Sequence, residues 1–317
     1  LRRIAPRVAA VALALVLTVD YWSVLRNYWQ FVPGADVVYA SDPTIEAMQK
    51  EPEPYRVLPL ALAQSFGLPT GAVFRDPFLG GDALMSHDVP NVVGYHGNEL
   101  GRYQQLLGSP GGGDLLPNAA LRAMLNVRFL LTDVGPDQPL DPSNASVTLP
   151  SLIPGLQHVV GPVRNAAGSD VHLYRFGEGQ AAWVAPAIVK APDDGVLATV
   201  RDPRFDATVR HRVALFDTSA AVAAQPATAA LPEPSQNRAT VRRVSPSHLK
   251  VQLSEPAAAG NALVLSENYY PGWRATVQGR EVPVHRANYT LIGVPLPAGA
   301  SEIDLQFEST PYETGKL

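Results

Sequence analysis

The stretch ENYYPGWRATVQGREVPVHRANYTLIGVPLPAGASEIDLQF, from Glu267 to Phe307, decides the fold class. Trp273, Ala275 and Val277 alternate with Arg274, Thr276 and Gln278, and Ile303, Leu305 and Phe307 alternate with Glu302, Asp304 and Gln306. A period of two means strands with one buried and one wet face, as in antiparallel sheets. Gln278-Gly279-Arg280 and Pro297-Ala298-Gly299 supply the reversals between them. Just upstream, Leu249, Val251 and Leu253 oppose Lys250 and Gln252 in the same way. Trp183–Lys190, Val196–Val200 and Arg212–Phe216 are further strand candidates. Short strands at this spacing predict an antiparallel β-sandwich of jelly-roll or immunoglobulin-like type over residues 181–317. Residues 219–234, rich in Ala and Pro without periodicity, read as an exposed loop within it.

Residues 31–180 read as a mixed α/β region. Asp42 or Thr44 caps a helix that starts near Ile45. Tyr55–Leu58, Val127–Leu131 and Val171–Phe176 read as strands, and His96–Leu107 and Leu121–Leu125 as helices. Between them lies a long irregular stretch, Gln64 to Gly94, rich in Gly, Pro and Asp. Long loops are common interaction elements, so this stretch and the Ala/Pro segment are candidate partner-binding regions.

Residues 1–30 read as a membrane anchor. Arg2, Arg3 and Arg7 precede an apolar run from Val8 to Val19 that extends through Asp20 to Leu25. Val8, Leu13 and Leu17 would face lipid, with Tyr21 and Trp22 at the far interface, and a span needs about 20 residues. The arginines place the start of the chain inside the cell and the rest outside. The competing readings are a signal peptide and a buried helix of a soluble domain. Asp20-Tyr21-Trp22 is too bulky for a cleavage site, and Val38-Tyr39-Ala40, which fits one, lies too far downstream. The expected location is the bacterial cytoplasmic membrane, with a single span and the bulk of the chain periplasmic.

The composition bounds the rest. A chain of 317 residues holds about one to three domains. With 46% hydrophobic and 17% charged residues it is globular rather than disordered. The net charge of -4 gives no electrostatic case for nucleic acid. The sequence contains no cysteine, so disulfides, thiolate metal sites and iron–sulfur clusters are excluded. Thirty prolines and 25 glycines favour a loop-rich, β-rich fold. The chain starts at Leu1 rather than Met, as expected of a fragment or a processed product.

Residues that carry chemistry are scarce. Asp76, Asp82, His87 and Asp88 cluster in sequence within the long loop, but turn-forming aspartates explain them better than an acid/base or metal site. Ser86-His87-Asp88 holds three triad residue types in consecutive positions, which do not meet as a triad does. His96 reads as structural, and Pro110-Gly111-Gly112-Gly113 as a turn. No nucleophile elbow, zinc-protease helix or P-loop is present. We therefore expect no catalytic residue, no metal and no cofactor. Tyr269, Tyr270 and Trp273 are candidate contacts for a glycan or a partner, because a sugar's C–H face packs on an aromatic face. The alternative is that Trp273 fills the core beside Ala275 and Val277.

Several motifs together resemble a known family. They are Tyr269-Tyr270-Pro271-Gly272-Trp273, Gly279-Arg280-Glu281-Val282-Pro283-Val284, Ala287-Asn288-Tyr289 and Gly293-Val294-Pro295-Leu296-Pro297-Ala298-Gly299. The apolar helix ending in Asp20, Gly94-Tyr95 with Tyr103 downstream, and Leu125-Asn126-Val127-Arg128-Phe129-Leu130-Leu131 extend the match. In this order they are similar to the C-terminal extracytoplasmic region of YfhO-type bacterial membrane proteins, which are polytopic and look like GT-C glycosyltransferases. The resemblance implies transfer of a sugar from a polyprenyl-phosphate carrier to an envelope polymer. It also implies a catalytic carboxylate in a loop after the first membrane helix, a region without a counterpart here. The sequence thus leads to a non-catalytic, membrane-anchored accessory subunit that docks on a membrane-protein complex. The alternatives are the soluble tail of such a glycosyltransferase and an envelope glycan-binding module.

Overall fold

The computed structural model describes residues 5–29, 31, 33–52, 54–94, 99–177, 179–224 and 230–316. Arg2, Arg3, Tyr95, His96 and residues 225–229 of the Ala/Pro segment lie outside the described residues. The chain divides into two units, Leu1–Ala40 and Ser41–Leu317.

In the first unit a helix runs from Pro6 to Leu25 and continues as a 3-10 turn, Arg26–Tyr28. Pro6 sits in the first turn, where its missing N–H costs no hydrogen bond. The 23 residues Pro6–Tyr28 are long and apolar enough to cross a membrane. At a rise of about 1.5 Å per residue they span about 35 Å, against a hydrocarbon core of about 30 Å. Val8, Leu13, Leu17, Tyr21 and Trp22 all project outward, each roughly half exposed. Trp22 and Trp29 meet edge to face with ring centroids 4.9 Å apart at the end of the helix.

The second unit is strand-rich and mixed α and β. Its first sheet comprises β1 (Arg56–Leu60), β2 (Val127–Thr132), β3 (Gln157–Arg164) and β4 (Asp170–Arg175), in the order β1-β2-β4-β3. The β1–β2 pair is parallel and the others antiparallel. β2 is central, and all of Val-Arg-Phe-Leu-Leu-Thr except Arg128 is buried. Asn126, at φ 54°, turns the chain from the Ala119–Met124 helix straight into β2, and its amide donates to the Pro54 carbonyl at 2.7 Å. The expected Asp42 cap is present: its carboxylate accepts from the Thr44 and Ile45 N–H groups at the start of the Pro43–Gln49 helix.

The middle sheet contains β5 (Ala182–Ala185), β6 (Ala187–Ala191) and β7 (Val213–Asp217). The outer sheet begins with β8 (Ala239–Ser245) and β9 (His248–Leu253). Then follow β10 (Ala262–Asn268), β11 (Trp273–Val277), β12 (Arg280–Val282), β13 (His285–Ala287), β14 (Leu291–Pro295) and β15 (Glu302–Phe307). The middle sheet has the order β5-β10-β14-β13-β7-β6 and the outer sheet β12-β11-β15-β9-β8. All pairs are antiparallel except β6–β7, which are joined through the helix Asp193–Arg201.

The middle sheet is buried on both faces. Trp183, Ala185, Ala262 and Val264 join a core with Leu58, Leu130 and Tyr174 of the first sheet. Their neighbours Ala182, Val184, Leu263 and Leu265 join a second core with Leu249, Val251, Ala275, Val277, Ile303 and Leu305 of the outer sheet. Strands covered on both sides read as continuous apolar runs, as in Ala262-Leu263-Val264-Leu265. The outer sheet, covered on one side, keeps the alternation expected from the sequence. A third core, with Ile45, Met48, Phe78, Leu84 and Phe129, lies on the far face of the first sheet.

Five expectations are corrected. Val196–Val200 belongs to the Asp193–Arg201 helix, not to a strand. Asp193 and Asp194 in its first turn and Arg201 in its last complement the helix dipole, and Val196 and Val200 bury one face at i, i+4. Trp183–Lys190 is two strands rather than one, because Pro186 has no N–H for a ladder, and β5 and β6 occupy opposite edges of the sheet. The helix expected from His96 starts at Gly101 among the described residues. The helix expected from Leu121 starts at Ala119, where the Asn118 side chain caps it. Of the Ala/Pro segment, Ala220 is buried rather than exposed and packs with the first core.

Candidate functional site

Arg56, the first residue of β1, is the pivot of a wide cleft in the second unit. Its guanidinium donates to the Ser266 carbonyl at 2.6 Å, the Ser266 hydroxyl at 3.0 Å and the Leu125 carbonyl at 3.0 Å. It also pairs with Glu267 at 3.4 Å. Arg243 of β8 approaches the other oxygen of Glu267 at 3.0 Å. One carboxylate at the end of β10 therefore engages two arginines from two other sheets. Around this group opens a cleft of about 1020 Å³. That is at the upper end of small-molecule pockets, which run to about 1,000 Å³.

The walls of the cleft are mainly apolar, with Val92, Leu100, Leu107, Leu249 and Leu265 among them. Tyr103, on the Gly101–Leu107 helix, donates its hydroxyl to the Val92 carbonyl at 2.7 Å. Burial raises its pKa to about 12, so it stays neutral and offers no base. Asn91 and Asn126 also line the cleft, and their side-chain oxygens are buried without a hydrogen-bond partner. Buried acceptors of this kind favour a donor from a bound molecule or water. The cleft can hold an amphiphilic surface by shape and a few hydrogen bonds. Both of its arginines are committed to Glu267.

A second polar group ties the middle sheet to its helices. Arg286 of β13 lies 2.7 Å from Asp217 and 3.1 Å from Asp193, and Arg102 lies 2.5 Å from Asp193. The Arg102 guanidinium also stands 5.3 Å from the Tyr289 ring. Asn288 and Tyr289 both have positive φ, 45° and 76°, and the Asn288 side-chain oxygen accepts from the Leu215 N–H at 3.0 Å.

Of the acidic loop residues, Asp82 and Asp88 both line the cleft, and Asp76 does not. Asp76 is buried, caps the helix Pro77–Gly80 and accepts from Asn165 at 2.7 Å. Asp88, at φ 57°, ends the turn Ala83–His87. The Ser86 hydroxyl donates to the Ala83 carbonyl at 2.7 Å, and the His87 ring stacks obliquely near Phe78. Among the described residues no group of three His, Cys, Asp or Glu could hold a metal ion. Tyr269 and Trp273 are partly buried against the second core, and Tyr270 is half exposed. The rings of Trp273 and Tyr270 lie 5.6 Å and 6.2 Å from that of Phe307. None of these three aromatics lines the cleft, whose wall includes Asn268 next to them. Arg56, Arg243 and Asn126 are cleft residues to which sequence reading assigned no role in a site. Arg56 meets Ser266 across 210 positions, so no local pattern signals it.

Residues 221–316 match the family model described as bacterial membrane protein YfhO. The matched stretch includes every strand of the outer sheet and β10, β13 and β14 of the middle one. Two cryo-EM classes of a mutant arabinofuranosyltransferase AftD from Mycobacteria are similar to part of the chain. One is 31% identical over 25% of this chain and 7% of its own, with a TM-score of 0.22. The other is 30% identical over 27% of this chain and 6% of its own, with a TM-score of 0.20. The chain thus covers less than a tenth of the length of those two chains. No curated protein matches it.

Proposed function

We propose that this chain is a non-catalytic, extracytoplasmic module that is tethered to the bacterial cytoplasmic membrane by the Pro6–Tyr28 helix and docks on a membrane-embedded partner. The match of residues 221–316 to a membrane-protein family carries the reading. The apolar helix supports the tether, since all its described side chains face outward, as lipid-facing residues do. The cleft supports docking rather than chemistry. Its Tyr103 is neutral, its arginines are paired, and its walls are mainly apolar, with Asp82, Asp88 and Glu99 also on them. The sequence has no cysteine, so a single introduced thiol reports its own location. Leu152→Cys, on an exposed side chain, reacts with a membrane-impermeant maleimide in intact spheroplasts under this reading. Labelling that requires permeabilisation would contradict it.

A second reading is favoured by the motif resemblance to YfhO-type proteins. In it the chain is the soluble tail of a polytopic glycosyltransferase of GT-C type that uses polyprenyl-phosphate-linked sugars. The chemistry then resides in membrane segments of the same polypeptide, and the module positions acceptor or partner. The two readings differ in the mass of the native polypeptide.

A further inference from the structure

The loop that carries Phe74 is built to present an apolar tip. Phe74 is 89% exposed and Val73 beside it 41% exposed, while both flanks of the loop are fastened down. On one side the Thr70 hydroxyl donates to Asp133 at 2.6 Å and accepts from the Ala72 N–H at 2.9 Å. The Val73 N–H donates to the Ser169 hydroxyl at 2.9 Å, and the Asp170 N–H to the Gly71 carbonyl at 3.0 Å. On the other side, buried Asp76 accepts from the Phe78 N–H and from Asn165, both at 2.7 Å. Arg75 between them adopts φ 57°, a left-handed conformation that a non-glycine residue holds only when its surroundings enforce it. Its guanidinium lies 5.1 Å from the Phe74 ring. A fixed loop pays little ordering entropy on binding.

We propose that Val73-Phe74-Arg75 is a membrane-surface contact, with Phe74 entering the boundary between headgroups and acyl chains and Arg75 meeting lipid phosphates. The inference rests on the anchoring proposed above. Two observations favour lipid as the occupant. An aromatic ring beside a cation is the chemistry of interfacial segments, in which the apolar body is buried and the charge stays among headgroups. Twelve residues separate Tyr28 from Ser41, at most about 45 Å of extended chain. A bilayer that holds the helix is therefore within reach of the second unit at an effective concentration of the order of millimolar, and a weak contact becomes populated.

The test uses the full chain in nanodiscs of phosphatidylethanolamine and phosphatidylglycerol. Single variants Val73→Cys, Leu17→Cys and Leu152→Cys carry an environment-sensitive dye, and doxyl-labelled lipid serves as quencher. The expected result is quenching and a blue shift at positions 17 and 73 but not at 152, with the effect at 73 lost on adding Phe74→Ser. Quenching at 17 with position 73 as unquenched as 152 overturns the loop contact and leaves the anchor standing. No quenching at 17 removes the anchor, and the inference with it. Quenching at 73 that survives Phe74→Ser, or shielding of position 73 only when a co-purified protein is present, also overturns the lipid contact.

Discussion

Arg56 at the start of β1 reaches Glu267 at the end of β10, so the first and middle sheets are joined by an ion pair as well as by a shared core. The guanidinium also donates three hydrogen bonds, two to Ser266 and one to Leu125, which places it among partly buried, charge-assisted contacts rather than surface pairs. Arg56→Ala should destabilise the second unit by about 1.5–3 kcal/mol, the range for hydrogen bonds to charged groups. Arg56→Lys should recover only part of this, because a single ammonium cannot reproduce the planar fork. Urea denaturation of the three proteins checks both expectations. Equal stability of wild type and Arg56→Ala would show that the pair is unimportant to the fold.

Trp273 and Tyr270 should behave oppositely on truncation. Trp273 packs against the second core beside Phe307, and Trp273→Ala is expected to cost about 3 kcal/mol, at the low end for aromatic truncation because the ring is only partly buried. Tyr270 is half exposed, and Tyr270→Ala should stay within about 0.5 kcal/mol. A glycan-contact role for these aromatics would instead appear as lost binding to envelope polysaccharide in the stable Tyr270→Ala protein.

Gly272 precedes Trp273 at φ 124°, and a Cβ there would collide with the Glu308 carbonyl oxygen. Gly279, at φ 76°, and Gly299, at φ 82°, have open space around the same position. Gly272→Ala should therefore lower the midpoint of thermal unfolding clearly more than Gly279→Ala or Gly299→Ala, which carry only the backbone penalty. Equal shifts in all three would remove the steric argument.

His211 should make the protein acid-sensitive. Burial, reinforced by Arg210, lowers its pKa from 6.5 to about 4. The unfolded chain then binds a proton that the folded chain refuses, so stability falls as pH drops below 6.5 and levels off below about 4. His172 and His285 are lowered by burial too and act in the same direction. The ring Nε2 of His211 is buried without a hydrogen-bond partner, so His211→Leu should flatten the slope between these limits without loss of a bond. Urea midpoints from pH 4 to 7.5 test this, and an unchanged slope in His211→Leu would reject the assignment.

The legible part of the fold was the part covered on one side. β9, β11 and β15 alternate because one face of the outer sheet meets water, and Asp42 announces the Pro43–Gln49 helix through its own side chain. β10 carries no such signal. Its run Ala262-Leu263-Val264-Leu265 feeds two cores, so period two disappears, and sequence reading did not single it out. Val196–Val200 was misread because five apolar-rich residues fit a strand as well as a helix face, and the deciding acidic first turn lies outside that window. The cleft was illegible for a different reason. Arg56, Arg243 and Glu267 come from three separate strands, and only the packing of the sheets brings them together.

The most direct test of the tethered-module reading is the native mass of the protein extracted from its own membranes in mild detergent, with co-purifying chains identified in the same sample. The account predicts a polypeptide with a single membrane span inside a larger assembly with at least one separate polytopic membrane protein. A polypeptide that is solitary at every concentration would contradict it. A much heavier, polytopic polypeptide containing this sequence would also contradict it, in favour of the glycosyltransferase-tail reading.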